Sequence, residues 1–329
     1  MKLIMHCRRI LALVVFLAAL ALASAEPSGT LRLYTSQPDA DAAQTAAAFE
    51  AAYPGVSVQV FRSGTEEVVS RFLLEVEAGA PQADVLLVAD APTFELLKAR
   101  ELLEAYCSPE SEGLEPAFFD PDCTYFGTKL LATVIVYHTA LAAPVGSWAE
   151  LTEVPSGELV MPSPTYSGAA AYNLGVISRT PELGFAWYER LEEQGAVLVR
   201  GNGAVIRNVA SGEQSYGMVV DFMAIRSRAE GSPVEVVYPA EGVPVITEPV
   251  GIVRGTPNLA AAQAFVDFLL SREGQQLAAE MGYMPLRGDV PAPEGFPPLA
   301  EITVLAADPL ELAQSRDDDK ERFRELFGE

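Results

Sequence analysis

Apolar and polar positions alternate period along this chain in a regular way. "LRLYTS" (31–36) alternates every second residue and reads as a strand. "DAAQTAAAFEAAYPG" (41–55) reads as a helix stopped by Pro54-Gly55. "VSVQVFR" (56–62) predicts a second strand. "SGTEEVVSRFLLEVEAG" (63–79) predicts a helix, with Ser63 and Glu66 spaced as a capping box. "ADVLLVAD" (83–90) is an unbroken apolar run of the kind that a strand buried on both faces carries. "APTFELLKARELLEA" (91–105) is expected to be helical throughout.

The alternation lapses over 106–127, a segment rich in Pro, Glu and Asp, and resumes with the β-branched run "LLATVIVYHT" (130–139). A second strand–helix series follows. Strands are expected at 157–163, 196–201, 216–221 and 234–239, and helices from Ser167, over 181–195 and over 203–213. "VPVITEPVGIVRG" (243–255) reads as one long β-rich run, "NLAAAQAFVDFLLSREGQQLAAEMG" (258–282) as one amphipathic helix, and 308–329 as a charged terminal helix. Two such series predict doubly wound α/β sheets, and the chain's 329 residues suffice for two lobes.

Residues 1–25 stand apart. Lys2, Arg8 and Arg9 precede an uncharged apolar core from Ile10 to Leu22, and Ala23-Ser24-Ala25 forms a small-residue cleavage site. A secretory signal removed after Ala25 is expected, hence a periplasmic or extracellular mature protein. Cys7 precedes the apolar core and is not placed as a lipid-bearing cysteine. Losing three basic residues and no acid takes the net charge from −23 to −26. Such a chain lacks the clustered Lys and Arg that nucleic-acid phosphates require, so no nucleic-acid partner is expected. Cys107 and Cys123 flank the acidic segment; in an oxidising compartment a short-loop disulfide is the natural reading, two free thiols the alternative.

The order of several stretches resembles the periplasmic solute-binding proteins of ABC importers, in the branch that includes ferric-iron binders. Its markers are "LRLYTSQ", "ADVLLVAD", "TVIVYHT" where the family has a strand ending Tyr-Asn-Thr, and "TPNLAAAQAFVDFLLSREGQQLAAEMGYMP", together spanning about Leu31 to Pro285. The resemblance implies a two-lobed type II periplasmic-binding-protein fold, with doubly wound sheets joined by two hinge strands near 128–137 and 246–254. It divides the chain into the signal (1–25), an N-terminal lobe (29–128 and 250–288) and a C-terminal lobe (129–249 and 289–329). Solute is then trapped between the lobes, the partner is a membrane permease, and a monomer without cofactor or catalytic residues is expected.

Ligands of open α/β sheets bind beyond the carboxyl ends of strands. Ser36, Ser63, Thr65, Asp90, Thr165, Ser167, Asn202 and Asp221 all follow expected strands, and Arg207 lies a few residues into a helix. Hydroxyls and free N–H groups at helix starts suit a small organic anion such as a phosphonate, phosphate ester or carboxylate. Asp221 is expected to read an ammonium or hydroxyl at the solute's other end. The plain alternatives are helix caps at Ser63, Ser167 and Asp221, and a solvated arginine at position 207. His138 is the only histidine of the mature chain, too little for a Ser–His–Asp or Cys–His centre, and no Gly-rich phosphate loop occurs. Ferric iron is the alternative cargo. Iron-binding relatives place paired tyrosines where this chain has Phe222 and Met223, and a first-lobe ligand where it has Pro38; Tyr166 and Tyr216 remain but do not match the motif.

Overall fold

The computed structural model describes residues 26–305 and 307–328; the expected signal segment lies outside them. The chain runs β1 (Gly29–Thr35), α1 (Asp39–Ala52), β2 (Val56–Arg62), α2 (Thr65–Glu77), β3 (Val85–Leu87), α3 (Ala91–Ala99) and β4 (Leu103–Glu104). The second series is β5 (Leu131–His138), β6 (Leu159–Pro162), α4 (Gly168–Arg179), α5 (Gly184–Glu193), β7 (Val197–Val199), α6 (Asn202–Ser211), β8 (Tyr216–Val220), α7 (Asp221–Ala229), β9 (Val234–Val237) and β10 (Val243–Ile246). It closes with β11 (Val250–Val253), α8 (Leu259–Leu270), α9 (Arg272–Glu280), β12 (Val304–Leu305) and α10 (Pro309–Phe327).

Two sheets form. The first has the order β2-β1-β3-β11-β4, parallel among β2, β1 and β3, with β11 antiparallel to both its neighbours. The second has the order β12-β10-β5-β8-β6-β7, with β9 also on β5. Alternation along a strand puts successive side chains on opposite faces, and the first sheet is covered on both. Leu31, Leu33, Val85 and Leu87 pack with Phe49 and Phe265, whose rings meet edge-on at 5.0 Å, whereas Tyr34, Leu86 and Val88 pack with Phe72 and Phe94. The second core centres on Trp148, Trp187 and Tyr188, and Phe323 of α10 is built into it.

Four elements differ from expectation, each for a local reason. The helix from 91 ends at Ala99, because Glu101 takes φ 56° and turns the chain into β4. The tract 258–282 is two helices, since Ser271 adopts extended angles and its hydroxyl accepts from the Gly274 N–H to start α9. The run 243–255 is two strands in different sheets. Between them Glu248 sits at φ 41° and Pro249 has no N–H for a ladder. No capping box forms at α2: Gly64 is its N-cap, and the Ser63 hydroxyl donates to Glu67.

The chain passes between the sheets at Thr128–Leu130, at Thr247–Pro249 and again between α9 and β12, and the first two passages lie side by side. These crossovers are bonded together: the N–H groups of Thr128 and Lys129 donate to the Thr247 carbonyl at 2.9 and 3.2 Å, and the Thr128 hydroxyl donates to the Glu248 carbonyl at 2.7 Å. Cys107 and Cys123 are joined. No described helix is long and apolar enough to cross a membrane.

Candidate functional site

Strand ends from both sheets meet at a cleft of about 360 Å³ in front of the crossovers. The first sheet contributes Ser36 and Arg62 from the ends of β1 and β2, and Gly64 and Thr65 from the start of α2. The second contributes Tyr166, Ser167 and Gly168 at the start of α4, Arg200 after β7, and Asn202, Gly203 and Arg207 of α6. Leu131, Ile246 and Glu248 form part of the lining at the crossovers.

The walls are in contact across the lobes. The Glu66 N–H donates to the Tyr166 carbonyl at 3.4 Å, Arg200 pairs with Glu67, and Arg226 makes a two-point contact with Asp41 at 3.1 and 3.2 Å. Gly64 permits the closest of these approaches, a Cβ on it standing 2.6 Å from the Tyr166 carbonyl oxygen, and Gly168 permits a second. A Cβ there would stand 2.7 Å from the Thr65 Cβ and 2.7 Å from an Asp90 carboxylate oxygen. The described conformation is therefore a closed one.

Five of the nine residues expected at the site line the cleft: Ser36, Thr65, Ser167 and Asn202 from strand ends, and Arg207 from within α6. Ser167 is also the cap of α4, accepting from the Ala170 N–H at 3.3 Å, and Asn202 ties it to β8 by donating to Ser167 at 3.4 Å and accepting from the Val220 N–H at 3.2 Å. The Gly168 and Ala169 N–H groups are left at the cleft, as the first turn of a helix requires.

The other four are not in its lining. Ser63 is turned to Glu67, and Thr165 shares a 2.7 Å hydrogen bond with Ser163. Asp90 is wholly buried, caps α3 through the Thr93 N–H at 2.9 Å, and meets Arg316 at 3.1 Å through each oxygen. Asp221 points to the far side of the crossovers, because the strand-to-helix turn at Val220 aims its side chain back under β5. It accepts from the Phe222 N–H at 2.8 Å, the Ala132 N–H at 3.2 Å and the Tyr238 hydroxyl at 3.1 Å. Burial still pushes it up to about 7, against the pull of those three donors. It borders a larger, mostly apolar cavity of about 1150 Å³, on the face of β5 opposite the cleft.

Strand-end reasoning centred on hydroxyls missed three features. Arg62 and Arg200 close β2 and β7 with a cation, a signal readable in "VFR" and "LVRG". The Arg62 Nε donates to the Gln37 carbonyl at 2.7 Å, which aims the guanidinium along the wall; Arg200 stacks on the Tyr166 ring at 4.3 Å. Neither Arg62 nor Arg207 forms an ion pair among the described residues. Glu248, the third feature, is buried and paired with Lys129, whose Nζ lies 4.8 Å from the Tyr283 ring centroid. Burial raises the Glu248 carboxyl, and Lys129 opposes that shift. A non-glycine residue at positive φ stores strain of the kind that clusters at binding sites.

Phe222, Met223 and Pro38 do line the cleft, and none offers a phenolate. Tyr216 lies elsewhere, its hydroxyl donating to the Ala143 carbonyl at 2.8 Å. His138 ends β5, accepting from the Ala140 N–H at 3.2 Å, and is not part of the cleft lining.

Residues 32–284 match the family model described as bacterial extracellular solute-binding protein. A Salmonella typhimurium periplasmic protein named for 2-aminoethylphosphonate binding is 26% identical over 257 residues, 72% of this chain and 71% of its own. Iron uptake protein A1 of Synechocystis is 25% identical over 256 residues, 72% and 70%. The periplasmic binding protein AfuA of Actinobacillus pleuropneumoniae, solved with fructose-6-phosphate, superposes with a TM-score of 0.84 at 22% identity, over 92% of this chain and 99% of that one. With the two-sheet fold and the interlobe cleft, these similarities establish that the chain belongs to the bacterial extracellular solute-binding proteins, the type II periplasmic receptors that deliver small molecules to ABC importer permeases.

Proposed function

We propose that the solute is a small organic anion, a phosphate ester, phosphonate or carboxylate, with a hydroxyl or ammonium group at its other end. The observation that carries this reading is the pair of arginines facing the cleft without an ion-pair partner among the described residues, Arg62 from one lobe and Arg207 from the other. On a chain this acidic, two guanidinium groups, one at the end of β2 and one inside α6, are placed to meet a bound anion, for which their fork geometry suits phosphate and carboxylate oxygens. The Ser36 and Thr65 hydroxyls and the first N–H groups of α4 add neutral donors around the same space. Repulsion from the acidic surface is screened over about 8 Å at physiological salt, whereas the arginines act at contact.

Glu248 takes the role first expected of Asp221. It lines the cleft, and its carboxylate is suited to accept from an ammonium or hydroxyl. The similarity to an iron uptake protein keeps ferric iron as the alternative cargo; Phe222, Met223 and Pro38 weigh against it, because no phenolate stands where iron-binding relatives carry one.

Calorimetry on the mature protein with fructose 6-phosphate, 2-aminoethylphosphonate, succinate and ferric citrate tests the reading. At least one organic anion should bind. Arg62→Gln or Arg207→Gln removes a charged hydrogen bond worth about 1.5–3 kcal/mol, a loss of roughly ten- to a hundredfold in affinity. Unchanged affinity in both variants, or a coloured stoichiometric ferric complex, would sink the proposal.

A further inference from the structure

Beyond residue 284, where the family match ends, the chain closes with α10, and this helix touches both lobes. Its apolar side belongs to the second lobe. Phe323 is 1% exposed and packs edge-on against Tyr188 at 5.7 Å, while Leu312 is buried near Gly175 of α4. Arg179 of α4 holds it from the same side, meeting Asp319 at 2.8 Å and Glu311 at 3.1 Å. Its other side carries Arg316 and Lys320, and these reach the first lobe. Arg316 contacts both oxygens of Asp90 at 3.1 Å and Glu66 at 2.6 Å, and Lys320 contacts Glu66 at 2.9 Å.

The position of this cluster matters more than its size. Glu66 follows Thr65, which lines the cleft, and Asp90 lies against Thr65 and Gly168 at a close contact between the two lobes. The pairs are shielded from solvent: the side chains of Arg316 and Asp90 are 10% and 0% exposed. Two acids of one lobe therefore face two cations carried by an element rooted in the other. Separating the lobes pulls those partners apart.

We propose that α10 is an interlobe latch, in which Arg316 and Lys320 hold Asp90 and Glu66 and thereby stabilise the closed receptor whatever solute it carries. A buried ion pair adds little relative to a well-packed apolar substitute, but removing one partner leaves the other buried and uncompensated. Here that penalty falls on the closed form alone, because opening brings Asp90 and Glu66 to water. The latch therefore shifts the open–closed equilibrium rather than the fold. A receptor whose competent form is better populated binds its solute more tightly in proportion, and releases it more slowly.

The experiment needs no solute. Spin labels at Leu74→Cys and Leu141→Cys, exposed positions on the two lobes, report the interlobe distance in the ligand-free protein while the native disulfide stays intact. The ligand-free protein should show a population at the closed distance. Arg316→Gln should reduce the ratio of closed to open molecules by about tenfold or more. Glu66→Gln, on the opposite lobe, should do the same. The double variant should fall by less than the sum of the two single effects, since the Arg316–Glu66 contact is lost in both while Arg316–Asp90 and Lys320–Glu66 are each lost in one. Thermal melts accompany each measurement; if Arg316→Gln does not fold, Glu66→Gln alone decides. A ligand-free protein that is wholly open overturns the latch, as does an unchanged distance distribution in folded Glu66→Gln, or strict additivity of the two substitutions.

Discussion

Gly168→Ala separates folding from closure at a single methyl group. Gly168 is the first residue of α4 and lines the cleft, with helical backbone that asks nothing special of a glycine. Alanine is the better helix former, so the second lobe should be as stable as before or slightly more so. The added Cβ would meet the Thr65 Cβ at 2.7 Å and an Asp90 oxygen at 2.7 Å, both across the lobe boundary. Ordinary carbon contacts sit near 3.5–4.0 Å, so the lobes must back away by about 1 Å at this point. Neither neighbour yields easily: Thr65 is 1% exposed at a helix start, and Asp90 is held by Arg316. Overpacking of this kind costs about 1–3 kcal/mol. Charged to the closed form alone, that lowers the closed fraction, and with it the apparent affinity, by roughly 5- to 150-fold. The assay pairs the interlobe distance measurement with calorimetry on the anion found to bind, and a thermal melt controls for folding. A variant that melts at or above the parent temperature yet binds and closes like the parent would refute the close approach of Thr65 and Gly168.

Asp221 should leave a pH signature on stability. Its carboxyl is raised to about 7 in the folded chain, above the ordinary carboxylate value, so its contribution is full below that ordinary value and is lost as pH rises through 7. The melting temperature should fall between pH 5 and pH 8, and Asp221→Asn should flatten that fall while Glu248, shifted the same way, leaves a residual slope; an identical slope in the variant removes Asp221 as its source. The Cys107–Cys123 bond closes a loop with a sequence separation of 16, worth about 3 kcal/mol by chain entropy. Denatured, unreduced mature protein should titrate no thiol, and reduction should lower the urea midpoint; two titratable thiols would contradict the bond.

Much of this protein is written in the order of its residues. Period-two runs such as "LRLYTS" and the unbroken "ADVLLVAD" determined strands, because a strand's exposure to one or two covering layers dictates which positions are apolar. Ser36, Thr65, Ser167 and Asn202 were legible as cleft residues, because parallel strands bring their carboxyl ends to one edge by topology alone. Sequence could not say which way a side chain turns once there. Asp90 and Asp221 follow strands just as Ser36 does, yet one is claimed by Arg316, 226 residues away, and the other by Ala132 and Tyr238. A buried carboxylate goes to whatever donors tertiary packing supplies, and those donors are remote in the chain. The same holds for the break at Thr247–Pro249: the apolar run is continuous in sequence, and only the separation of two cores assigns its halves to different sheets. The latch is the extreme case. Its sequence shows no more than a charged terminal helix, and it becomes a tie between lobes only because Phe323 and Leu312 root it on one of them with Arg316 aimed at the other.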